Sequence, residues 1–100
     1  MAMELELPLE VIETYLQRRA QDVDTLQQSL SENSVKEFNR IGHQLVGNAT
    51  SFGFDELVPI ASQMEDLTSD TLLTEGSELI HQFKLWLQSA QKKFAAQSKS

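Results

Sequence analysis

The chain has no cysteine, which excludes disulfides, zinc–thiolate centres and thiol catalysis. Glycine and proline are scarce, at four and two in 100 residues, so few positions are set to interrupt a helix. Basic residues are also in short supply: eight Lys and Arg stand against fifteen Asp and Glu, for a net charge of −7. A phosphate backbone demands clustered cations, so the balance argues against nucleic acid as a partner. No apolar run approaches the roughly 20 residues that a membrane helix needs. The acidic N-terminus has neither the basic start nor the apolar stretch of a signal peptide. A cytoplasmic protein is the expectation, and a piece of a larger kinase would read the same way.

What remains is helix-forming material. Hydrophobic residues make up 40% of the chain, enough for one core in one domain spanning 1–100. No repeat, low-complexity tract or interdomain linker interrupts it. After a loose lead-in over 1–7, Pro8 suits a first helical turn. Leu9, Ile12, Leu16, Ala20, Val23, Leu26 and Leu30 then recur at threes and fours, one buried stripe. Arg18 reads as solvated, and Arg19 as lying along the stripe's edge with its charge in water. Asn33 or Ser34 is the expected cap of a second helix, and Gly53 its left-handed close, with Phe52 and Phe54 packing there. Asp55 caps a third helix, with Leu57, Val58, Ala61, Met64 and Leu67 inward. A fourth carries Leu72, Leu79, Phe83, Trp86, Leu87, Ala90 and Phe94 on one side. Gly76 weakens its first turns, and 97–100 should fray. The predicted helices cover about 8–31, 34–52, 55–68 and 71–95. Their short connections predict an all-α, antiparallel up-down-up-down four-helix bundle, with nothing in the pattern requiring more than a monomer.

The second helix is chemically the most distinctive. On a wheel of about 100° per residue, Val35, Phe38, Ile41, Gly42, Leu45, Ala49 and Phe52 share one broad side. Lys36, Asn39, Arg40, Gly47 and Thr50 fall within roughly 60° of His43 on the other. The imidazole therefore faces water. A glycine within a helix costs about 1 kcal/mol relative to alanine. Gly42, on the buried side, lets another helix approach closely. Gly47, on the exposed side, has no packing excuse. It lies one turn beyond His43 and removes the side chain that would flank the ring.

His43-Gln-Leu-Val-Gly47, followed by Phe52-Gly53 and then Leu57, Met64 and Glu65, resembles the histidine-containing phosphotransfer (HPt) domain family. That family's pattern is His-x-Leu-Lys-Gly, with another glycine ten residues after the histidine. The likeness runs from about Leu9 to Phe94 in helix count and spacing. It implies that His43 is a phospho-accepting nucleophile that passes a phosphoryl group between receiver-domain aspartates. Partners would be receiver domains of response regulators, a hybrid histidine kinase, or both. Lys36, Asn39, Arg40, Gln44, Val46, Gly47 and Thr50 would form the docking surface. Mg²⁺ would sit on the receiver, and this chain would need no cofactor. The segment Asn33–Gly53 carries +1 in an otherwise acidic chain, a break in the negative field that favours docking to an acidic receiver pocket.

One position departs from the pattern. Val46 stands where the family has a lysine thought to attract the phosphoryl group, with Arg40 or Lys36 as substitutes on the same face. An exposed histidine is largely neutral and nucleophilic at pH 7. No glycine-rich nucleotide loop or kinase motif is present, so a carrier without autonomous kinase activity is expected. The scattered acids lack metal-ligand spacing, and Glu65 and Asp66 read as solvated. His81, with Glu78 and Lys84 nearby and no glycine one turn away, reads as an ordinary surface residue. Two rivals stay open: an unphosphorylated adaptor that binds or sequesters a receiver through the same face, and a generic helical interaction module.

Overall fold

The computed structural model describes residues 7–98. Four helices form α1 (Leu9–Ser31), α2 (Lys36–Asn48), α3 (Val58–Asp66) and α4 (Ser69–Ser98), and no strand occurs among the described residues. Single 3-10 turns at Thr50–Phe52 and Asp55–Leu57 lie between α2 and α3. The closest pairings are α2 with α3 and α1 with α4, and α1–α2 and α3–α4 contacts close the ring. Every residue assigned to the α1 and α4 stripes is buried or half-buried, and Phe38, Ile41, Leu45, Leu57 and Met64 meet them in one core.

The connections correct several boundaries. Asn33 adopts a left-handed φ of 56°. Ser34 N–H donates to Ser29 O at 2.9 Å, and Asn33 N–H to Leu30 O at 3.1 Å. This Schellman arrangement makes Asn33 the terminator of α1 rather than a cap of α2, whose N-cap is Val35 with no side-chain bond. At the other end of α2 the chain tightens into the 3-10 turn and closes in the expected way. Gly53 has φ 84°, and Phe54 N–H reaches Ala49 O at 2.9 Å.

Asp55 makes no capping bond and instead opens a 3-10 turn. Pro59 lies in the first turn of α3, where its missing N–H costs nothing. α4 starts before the expected residue because Thr68 and Thr71 cap it reciprocally, each hydroxyl accepting from the other's N–H at 3.3 and 3.0 Å. It runs straight through Gly76, where an added Cβ would lie 3.1 Å from Leu30 Cδ1. That glycine is there for packing and marks no late start. Helix continues to Ser98, beyond the expected end at 95. Of the predicted lead-in, 1–6 lies outside the described residues, as do the last two positions, while Leu7 packs on the core.

Arg19 is the clearest misreading of polarity. It is buried, bonds Asp22 Oδ2 through Nε at 2.7 Å, and lies over the Tyr15 ring at 4.4 Å. Partners at i+3 and i−4 on the same helix let the guanidinium leave water without losing its interactions.

Asn39 ties α2 to α3. Its Nδ2 lies 3.1, 3.0 and 2.9 Å from the carbonyl oxygens of Met64, Glu65 and Leu67 and shares its two hydrogens among these acceptors, which the end of a helix otherwise leaves orphaned. Asn39→Ala is therefore expected to lower the unfolding free energy by about 1–3 kcal/mol, read as a reduced urea midpoint at unchanged slope.

Candidate functional site

α2 and α3 bring two polar side chains together at the surface. The His43 side chain is 78% exposed and that of Glu65 36%, with Nδ1 of the imidazole 2.5 Å from Glu65 Oε2. An ionised carboxylate only accepts hydrogen bonds, so Nδ1–H is the donor. That bond fixes the tautomer of the neutral ring: Nδ1 carries the hydrogen and Nε2 keeps its lone pair. Glu65 is thus a partner of the histidine, which replaces the expectation of a merely solvated side chain.

Gly42 makes the pairing possible. A Cβ at this position would lie 2.5 Å from Glu65 N, 2.6 Å from Ala61 O and 2.9 Å from Met64 Cβ. The two backbones touch here, as the buried glycine predicted. Because His43 is the next residue, the side chain leaving α3 at Glu65 starts beside the ring. The sequence signal was partial: Gly42 implies that a residue of a neighbouring helix comes beside His43, but not which one.

The remaining predicted site residues divide. Lys36, Arg40, Gln44, Val46, Gly47 and Thr50 are exposed around His43. Asn39 is half-buried with its amide nitrogen spent on α3, so it supports the surface from below and is no free docking group. Arg40 forms an ion pair with Glu37 and reaches Gln44 Oε1 through Nη1 at 3.4 Å. The Glu37 contact pulls that acid's pKa below its ordinary 4.5 and raises that of Arg40. His81 is exposed on α4. No group of three or more His, Asp or Glu side chains is placed to hold a metal ion among the described residues.

Nothing lies within 4 Å of where a Gly47 Cβ would stand. Gly47→Ala should consequently raise stability by about 1 kcal/mol through helix propensity, seen as a higher melting temperature. A long side chain there, as in Gly47→Gln, is expected to slow any reaction that needs a large partner at His43 while leaving the fold intact.

α1, α2 and the 3-10 turn after α2 bound an open groove of about 730 Å³ lined by Val11, Thr14, Arg18, Gln44, Asn48 and Phe52. Its floor is ordered: Tyr15 OH donates to Asn48 Oδ1 at 2.8 Å and its ring stacks on Phe52 at 4.1 Å. Burial pushes the Asp22 carboxyl above its ordinary 3.8, and Arg19 opposes the shift. The folded state then holds that proton more tightly than the unfolded chain, so this group's contribution to stability falls as pH rises from 3.8 through the raised pKa. Asp22→Asn removes this dependence. The stability of wild type relative to the variant should decline with pH over that window, measured by urea titrations in a pH series.

The architecture is an all-helical domain whose second helix presents a solvent-facing histidine bonded to a carboxylate. The chain belongs to the Hpt domain family, which it matches over residues 10–93. Hpt domains are phosphocarriers rather than kinases; they act in two-component signalling and interact with receiver domains and kinases in phosphorelays. Comparison with curated proteins and with solved structures gives no match. No helix among the described residues is long and apolar enough to cross a membrane.

Proposed function

We propose that this chain is a phosphorelay intermediate that carries a phosphoryl group on His43 Nε2 between receiver-domain aspartates. The observation that carries the reading is the ring itself: exposed, held at Nδ1 by Glu65, and set one turn from the open backbone at Gly47. In the transfer, the Nε2 lone pair forms the N–P bond while the P–O bond of the aspartyl phosphate breaks. The bonding electrons leave with the aspartate carboxylate. Nδ1 keeps its proton, so the phosphorylated ring becomes cationic, and Glu65 balances that charge. Such reactions depend mainly on positioning and charge stabilisation. Mg²⁺ and the remaining charges belong to the receiver, and this chain adds no nucleotide site of its own.

Lys36, Arg40, Gln44, Val46, Gly47 and Thr50 form the docking rim, with Asn39 fixing the α2–α3 junction beneath. The short connections and the ring of neighbouring helices favour the antiparallel up-down-up-down arrangement. The protein acts as a cytoplasmic monomer. The test is incubation with a phosphorylated receiver, followed by a search for acid-labile, alkali-stable label, with His43→Gln as control. Label that requires His43 supports the carrier.

Val46 favours a second reading, in which the same face binds a receiver without accepting phosphate. Tight receiver binding with no label at His43 would establish that adaptor instead.

A further inference from the structure

The phosphoryl group arriving at Nε2 brings two negative charges, and Val46 offers no cation to meet them. The structure contains another one, in a revealing position. Residues 37, 40 and 44 lie along one strip of α2, and the Arg40 side chain spans it, bonded to Glu37 at one end and to Gln44 Oε1 at the other. The guanidinium is thereby held along the exposed face of α2 that starts one turn before His43. Glu65 holds Nδ1 from the α3 side, and the two nitrogens of a five-membered ring point away from each other. Nε2 is therefore aimed away from Glu65, and on the α2 wheel Gly42 and Asn39, which meet α3, fall to one side of His43 while Arg40 and Gln44 fall to the other.

Other cations are placed less well. Lys36 stands two turns before the histidine, roughly 10 Å along the axis. Arg18 lies across the groove on α1, and the Arg19 guanidinium is committed to Asp22 and Tyr15. Arg40, one turn from His43, is held by an exposed ion pair of the kind worth little on its own. A dianionic phosphoryl group can outbid a single carboxylate for the guanidinium fork.

We infer that Arg40 is the phosphoryl-holding cation of this domain, parked on Glu37 while His43 is free and transferred to the phosphoryl oxygens once Nε2 is phosphorylated. Glu37 is the resting partner and Gln44 the guide that keeps the fork beside the ring. The assignment rests on His43 being the phosphorylated residue and adds the group that stabilises the product. Phosphoryl loss passes through a loose, metaphosphate-like transition state with less charge on the departing oxygens. A cation paired with the ground-state dianion therefore lengthens the lifetime of the phosphohistidine.

The test uses potassium phosphoramidate as a small phosphodonor, with ammonia as the leaving group, so no receiver is needed. The wild-type chain, Arg40→Gln, Arg40→Lys, Glu37→Gln and Arg40→Gln/Val46→Lys are labelled and followed by ³¹P NMR across pH. Circular dichroism checks that each variant remains folded. Arg40→Gln is expected to raise the pH at which the phosphoryl resonance titrates and to shorten the phosphohistidine half-life about tenfold. Arg40→Lys should lie between the two. Glu37→Gln should shift both readouts the opposite way, and lysine at position 46 should restore them in the double variant. If Arg40→Gln leaves the titration and the half-life of labelled His43 unchanged, the inference is overturned and the carrier reading stands. If His43 takes no label from phosphoramidate or from a phosphorylated receiver, both fall together.

Discussion

Gly42→Ala is expected to destabilise the protein by about 3 kcal/mol, at the upper end of what overpacking a well-packed interior costs. The atoms that a new Cβ would meet, Glu65 N at 2.5 Å and Ala61 O at 2.6 Å, both belong to the α3 backbone. No rotamer change can relieve the contact, so α3 as a whole must move away from α2. That displacement also stretches the three carbonyl bonds made by Asn39 and withdraws Glu65 from His43. The urea midpoint should fall, and the same variant should lose reactivity at His43 even where it remains folded. A variant that keeps wild-type stability would mean that the two helices are not in contact at this point.

The second large effect is expected at Glu65. Replacing it by alanine removes a hydrogen bond that adds little to folding at this exposed site but bears directly on charge developing in the ring. If that interaction strengthens as the ring becomes cationic, phosphorylation of His43 should slow by roughly ten- to a hundredfold. Stability should change little, since both side chains are substantially exposed. The tautomer supplies an independent readout: ¹⁵N NMR of the imidazole should show the hydrogen on Nδ1 in wild type, and a shift toward Nε2 in Glu65→Ala. Equal labelling rates together with an unchanged tautomer would remove Glu65 from the site.

The helices and the outward face of α2 were legible because period 3.6 is a local signal, and α1 and α2 carry it strongly. The role of Gly42 was legible for a similar reason, since a glycine on an apolar helix face gives up propensity and gains only a closer neighbour. What escaped the sequence falls into two kinds. Glu65 and Asn39 act across 22 to 28 residues of chain, and no local pattern says which surface of α3 meets which turn of α2. The other misses concern residues with two competing local uses. Asn33 fits an N-cap or a left-handed terminator, and the bonds from Ser34 to Ser29 and from Asn33 to Leu30 decide for the terminator. Arg19 fits an exposed edge or a shielded pair, and Tyr15 and Asp22, both within one turn or so, decide for the pair. In that last case the deciding residues were in plain view at helical spacing, but reading the charge alone missed them.

The open backbone at Gly47 bears on how such a domain tells one partner from another. A surface made of main chain has the same chemistry in every protein, so it admits any visitor of suitable shape and rejects none by identity. On the proposed docking face, discrimination then falls to the side chains around that glycine, Lys36, Arg40, Gln44, Val46 and Thr50, by clash or mismatch with unwanted visitors. On the proposed reading, an exchange at one of these rim positions is expected to change which receivers are admitted, and so to open or close a route of crosstalk.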